Sequence, residues 1–149
     1  MATLIDDGEL KVEALAVDHS PVDPAVGYRF SYKGRSLLIT GDTVKLPNIQ
    51  KISEGVDLLV HEALAPNLVM MINEAAMKIG NPILTKITHD IPSYHASPVD
   101  AAETARDAGV GHLLYYHIVP PLVIPGQKAL YLNGAEDIFP DYTIGEDGV

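Results

Sequence analysis

Leu37-Leu38-Ile39-Thr40-Gly41-Asp42-Thr43 is a run of four strand-forming residues that meets a glycine and then a carboxylate. A buried strand ending in this way places Asp42 at its C-terminal lip, where open α/β sheets keep their ligand sites. Gly41 permits a turn that a side chain would resist. The Thr43 hydroxyl can hydrogen-bond back to that turn, so the carboxylate is held in one direction. Taken alone, an aspartate here does no more than end a strand, and its weight comes from the rest of the chain.

The 149 residues are the length of a single domain, and with 47% hydrophobic residues and a mean hydropathy of +0.12 the chain is too apolar to stay disordered. Twenty acidic residues stand against ten basic ones, a formal charge of −10. Such a charge repels a phosphate backbone and leaves no basic stripe, so a nucleic-acid partner is not expected. There is no cysteine. Thiolate metal sites and disulfides are thereby excluded, and any metal is held by His, Asp and Glu, ligands that suit zinc, manganese or iron. Met1–Leu10 lacks an apolar core flanked by positive charge, and no apolar run reaches the length of a membrane span, so a soluble cytoplasmic protein is expected.

Strands alternate with helices along the chain. Lys11–Val17 reads as a strand ending at Asp18-His19-Ser20-Pro21, a loop signal. Val26–Tyr32 and Ser36–Thr40 flank Lys33-Gly34-Arg35 as an antiparallel hairpin. A short helix follows over Pro47–Ser53, then a strand over Asp57–His61. Leu68, Met71, Ile72, Ala75, Ala76 and Ile79 recur at helical spacing over Pro66–Ile79, where Met70, Met71 and Met77 read as adaptable packing. Ile83–Asp90 reads equally as a helical turn or a loop. Ser97 as N-cap, Pro98 at the first position, Asp100 at the third and Gly109 beyond the end define a helix over Pro98–Ala108. His112–Val119 is a strand, Pro120–Gly126 a proline-rich loop, Leu130–Phe139 a helix and Tyr142–Ile144 a last short strand.

Three of these strands run to a potential ligand: the first to His19, the third to Asp42 and the His112–Tyr116 segment to His117. A sheet of compatible strand order brings two imidazoles and a carboxylate to one edge, a sufficient protein ligand set for a catalytic metal. His95 lies two residues before the N-cap of the Pro98 helix, so an anionic oxygen beside it meets an imidazole donor and the positive end of the helix dipole. His61 reads as strand-end packing, His112 as a surface residue, and His89-Asp90 as an exposed loop pair.

The ordered set Asp18-His19-Ser20, Gly27-Tyr28-Arg29-Phe30, Thr40-Gly41-Asp42-Thr43, His61-Glu62-Ala63, His95-Ala96-Ser97 and His117 resembles the C-terminal half of the metallo-β-lactamase fold, closest to its ribonuclease Z-like and arylsulfatase-like hydrolases. The resemblance runs from about Val12 to Gly148. It implies an α/β chain that forms half of an αββα sandwich, a mixed sheet covered by helices on one face. It implies further that His19 binds one metal, that Asp42 bridges two, that His117 binds the second, that His95 stabilises the transition state or leaving group, and that Glu62 supports the site from behind. An aspartate suits a bridging role because its two oxygens can each hold a cation.

The His-x-His-x-Asp-His motif of the family's N-terminal half is absent from this chain, so about half of the expected ligands are missing. The resemblance then implies a portion of a longer hydrolase, pairing with another chain that carries the motif, or a reduced metal site. Leu37–Ile39, Val56–Val60 and Leu113–Tyr116 are apolar on both alternating faces and expect cover on both. At ~25 cal/mol per Å², exposing ~1,000 Å² of apolar surface forfeits ~25 kcal/mol, more than a domain's net stability, so association, most simply as a homodimer, is expected. The function expected is hydrolysis of an ester-type bond of a small molecule (phosphoester, sulfate ester, carboxylic ester or lactone) by metal-bound hydroxide. The alternatives are an RNA-processing endonuclease of the ribonuclease Z type and a non-catalytic metal-binding or assembly module.

Overall fold

The computed structural model describes residues 1–148, which form a seven-stranded sheet whose strands follow chain order. β1 (Ala2–Asp6), β2 (Leu10–His19), β3 (Val22–Tyr32) and β4 (Arg35–Ile39) pair antiparallel. From β4 onward the pairing is parallel through β5 (Leu58–Leu64), β6 (Leu113–Val119) and β7 (Tyr142–Ile144). The crossovers carry α1 (Pro47–Ile52), then α2 (Pro66–Lys78), α3 (Pro82–Asp90) and α4 (Pro98–Ala108), then α5 (Gln127–Leu132) and α6 (Ala135–Ile138). Parallel neighbours need such crossovers, whereas Lys33 and Gly34 suffice for the β3–β4 hairpin.

Leu38, Leu59 and Leu113 stand side by side across three strands and are wholly buried. With Leu15 and Tyr115 they face Ala101, Ala102 and Ala105 of α4 and Tyr131 of α5, and this is the core. Small alanines let the helix lie close to the sheet. Two buried tyrosines fix the layers: Tyr115 donates its hydroxyl to the Pro98 carbonyl at 3.0 Å, and Tyr131 to that of Ala63 at 3.1 Å. Side chains one residue out of step point the other way. Tyr28, Ile39, Val60 and Leu114 form one row there, Phe30, Leu37 and Leu58 another. Most of these are half-buried, and Tyr28 is exposed. That face is the expected apolar one.

α4 has the predicted bounds. Ser97 accepts from the Asp100 N–H while Asp100 accepts from the Ser97 N–H, and Gly109 closes the helix in the left-handed region. The undecided Ile83–Asp90 segment is helical because Asn81 caps it through the Leu84 N–H. The helix expected over Leu130–Phe139 is instead α5 and α6, broken at Asn133 and Gly134, both with positive φ. β1 gave no signal in the sequence because none of its five residues is buried, which removes the alternation by which a strand is read. His89 is exposed and Asp90 half-buried, both at the end of α3 rather than in a loop, with Asp90 paired to Lys86.

Candidate metal-dependent active site

The turn after β4 is shaped by two glycines. A Cβ on Gly41, whose φ is +68°, would lie 2.4 Å from the Val26 carbonyl oxygen, and one on Gly27 would lie 2.6 Å from that of Thr40. Only bare backbone fits where β3 crosses this turn. Thr43 then ties the turn to its neighbours. Its hydroxyl accepts from the Asp18 N–H at 3.3 Å and donates to the Val44 carbonyl at 2.9 Å, while its N–H donates to Glu62 Oε1 at 3.1 Å. The end of β2, which carries His19, is therefore locked to the loop that carries Asp42.

His117 reaches the same edge by a different device. Glu62 pairs with Tyr116 but Ala63 pairs with Ile118, so His117 is the extra residue of a bulge in β6, and its φ is +43°. Bulges re-aim side chains next to active sites. Here the imidazole Nε2 comes 3.4 Å from Asp42 Oδ2, both side chains partly open to solvent.

His95 stands between the two other histidines, its ring 4.8 Å from that of His19 and 5.6 Å from that of His117. Its Nδ1–H donates to Glu62 Oε1 at 3.0 Å, which also accepts the Ala96 N–H at 3.0 Å. His19 donates its own Nδ1–H to the Tyr94 carbonyl at 2.8 Å. In both imidazoles Nδ1 is committed, and Nε2 is the atom left for a ligand.

Glu62 is wholly buried, and its second carboxylate oxygen has no hydrogen-bond partner. Its backbone lies beyond the last residue of β4, so both main-chain groups depend on side chains. The N–H donates to Thr40 Oγ1 at 3.3 Å, and the carbonyl accepts from His61 Nδ1 at 2.7 Å. Burial holds the His61 pKa down, so the imidazole is neutral near neutral pH. Tyr116 has its hydroxyl pKa pushed up to about 12, first by burial and then by the charges of Asp42 and Glu62. It is a neutral phenol and not a base.

Of the residues expected from the sequence, Asp42 and His117 are in contact, His95 and Glu62 are bonded, and His19 joins them through the His95 ring. Among the described residues no three His, Asp or Glu side chains already converge with metal-ligand spacing. The donor chemistry nonetheless fits a divalent ion: the Asp42 carboxylate, the His117 imidazole whose Nε2 faces it, and the His19 imidazole, whose Nδ1 is committed and whose Nε2 is left for a ligand. Sequence reasoning missed the supports. Tyr94 and Ala96 act through main-chain groups, which carry no side-chain signal, and Thr40 acts through an ordinary hydroxyl at a strand end. His61 was read as packing, yet it also supplies a donor. His112 is a partly exposed residue bonded to Asp141 and Thr143, as expected.

A sequence profile for the beta-lactamase superfamily domain matches residues 1–118. The chain belongs to the beta-lactamase superfamily. It is similar to the ribonuclease Z of Mycobacterium sp. (strain KMS), 32% identical over 143 residues that make up 95% of this chain and 46% of that protein. Among solved structures, the metallo-β-lactamase fold protein YhfI from Bacillus subtilis superposes with a TM-score of 0.67 at 18% identity, covering 97% of this chain and 50% of the other. Zinc-bound PqqB from Methylobacterium extorquens superposes with a TM-score of 0.58 at 14% identity, covering 99% and 48%. The chain thus spans about half the length of the superfamily members it matches, and the expected half of a metallo-β-lactamase sandwich is its fold. No helix among the described residues is long and apolar enough to cross a membrane.

Proposed function

We propose that this chain carries the C-terminal half of the active site of a metal-dependent hydrolase that cleaves an ester-type bond. The observation that carries the reading is the Glu62–His95 pair, set behind an edge lined by His19, His117 and Asp42. Asp42 and His117 would hold the ion with His19, and zinc is the leading choice because the donors are nitrogen and oxygen and because the PqqB neighbour is zinc-bound. When bound, such an ion polarises the ester and makes water acidic enough to attack near neutral pH.

The chain's own residues do the rest. Glu62 takes the Nδ1–H of His95 and so fixes the ring with Nε2 toward the reacting bond. A proton at Nε2 is the one that His95 can give to the departing oxygen. The Pro98 helix adds the field of its N-terminus, because its N-cap follows His95 by two residues.

A small-molecule ester is the substrate class that the charge favours, since the net −10 repels a polyanion. The second reading, an RNA-cleaving endonuclease, is favoured by the ribonuclease Z relatives. Both are tested by incubating the chain, alone and within any longer polypeptide that contains it, with zinc or manganese and either bis(4-nitrophenyl) phosphate, 4-nitrophenyl sulfate and 4-nitrophenyl acetate or a structured RNA. Turnover of an aryl ester that His95→Ala lowers supports the first reading. RNA cleavage without aryl-ester turnover supports the second, and no turnover with either leaves the binding-module account.

A further inference from the structure

We infer that the cleft beside His117 binds the non-reacting part of the substrate, and that it takes a neutral, aromatic-sized apolar group in preference to an anionic one. This rests on the hydrolase reading of the His117 edge. The cleft, about 730 Å³, lies between the end of β6, the segment 121–123 and the end of β7. His117 lines it, and the bulge that turns His117 out of the ladder makes one imidazole common to the cleft and to the Asp42 contact. A group seated in the cleft therefore has its reacting bond beside Asp42. The clefts at the β3–β4 turn and on the α2–α3 hairpin include none of His19, Asp42, His95 or His117.

The walls set the chemistry. Ile118, Leu122 and Ile144 are apolar and rest on the main core, so this wall is held by packing. The charged groups are Lys128, Glu146 and Asp147. Lys128 Nζ is 2.5 Å from Glu146 Oε1, which holds that carboxyl below its usual range, so the lysine is already engaged. A phosphate entering here meets two carboxylates against one lysine, a wall of net negative charge. A neutral ring meets aliphatic carbon and loses nothing to charge repulsion.

The test is binding to the 149-residue chain followed by amide NMR, with 1-naphthol, 1-naphthyl phosphate and a short uridine oligonucleotide as separate probes. The expected result is saturable 1-naphthol binding with shifts centred on Ile118, Leu122 and Ile144, and weaker binding of 1-naphthyl phosphate and of the oligonucleotide. Val123 is 80% exposed, so Val123→Trp keeps the fold and should fill the cleft, lowering naphthol affinity about 10-fold. Glu146→Lys should raise naphthyl phosphate affinity by about 10-fold and leave naphthol within about twofold. Naphthol shifts elsewhere, no saturable binding, or wild-type preference for the phosphate or oligonucleotide would overturn the inference. Because no turnover is read, a negative hydrolase assay leaves this result standing, and a negative binding result leaves the hydrolase assay standing.

Discussion

His95 Nδ1 lies 3.0 Å from Glu62 Oε1, and the two side chains are 4% and 0% exposed. A carboxylate so deeply placed is held by its donors, here the N–H groups of Thr43 and Ala96 as well as the imidazole. Glu62→Ala orphans three donors at once and should cost ~3 kcal/mol or more, whereas His95→Ala removes one donor and should cost ~1–2 kcal/mol. Urea denaturation of both variants checks the order. Equal losses would mean that Glu62 is held mainly by something other than these bonds. In any active polypeptide containing this chain, His95→Ala should also lower turnover by ~10²-fold with metal content unchanged.

Gly41 and Gly55 share a positive φ, +68° and +66°, but only Gly41 has backbone in the way of a Cβ. Gly55→Ala should therefore cost ~1 kcal/mol for the left-handed backbone alone, and Gly41→Ala clearly more, because the β3 crossing must also shift. Thermal unfolding of the two variants compares them directly. Similar melting temperatures would refute the close approach of β3 to the Asp42 turn.

His61 adds a pH dependence. Its folded pKa is lowered from the ordinary value of 6.5, so below that pH the unfolded chain binds a proton that the folded chain resists. Its contribution is complete above about pH 6.5 and is lost as the pH falls toward the folded value. His61→Asn keeps a donor for the Glu62 carbonyl but does not titrate, so stability plotted from pH 7.5 to 5 should fall less steeply than in the wild type. Parallel curves would show that His61 charges in place.

How much of this was legible depended on what each residue does. α4 was read to the residue because Ser97, Asp100 and Gly109 act through local geometry, which sequence encodes directly. The edge was legible because His19, Asp42 and His117 each follow an apolar strand. The bulge that turns His117 was not, since a register shift between β5 and β6 depends on residues more than fifty positions apart. The break at Asn133-Gly134 is a turn signal, but it is masked because the apolar residues on either side keep helical spacing. β1 stayed invisible because exposed strands lose their alternation.

The second sheet face predicts association. Ile39, Val60 and Leu114 on one row and Leu37 and Leu58 on the other are half-exposed apolar side chains, and Tyr28 beside them is 37% exposed. The chain alone should therefore sediment as a dimer or larger species at low micromolar concentration, burying this face. A stable monomer by analytical ultracentrifugation that also fails to bind an apolar-surface dye would contradict that expectation.

Calorimetric titration of the chain with zinc reads the metal site proposed at Asp42, His117 and His19. One ion per chain should bind tightly, and Asp42→Ala should remove most of that affinity, because the carboxylate 3.4 Å from His117 has no substitute at that edge. Zinc binding unchanged in Asp42→Ala would mean that these three residues do not hold the ion.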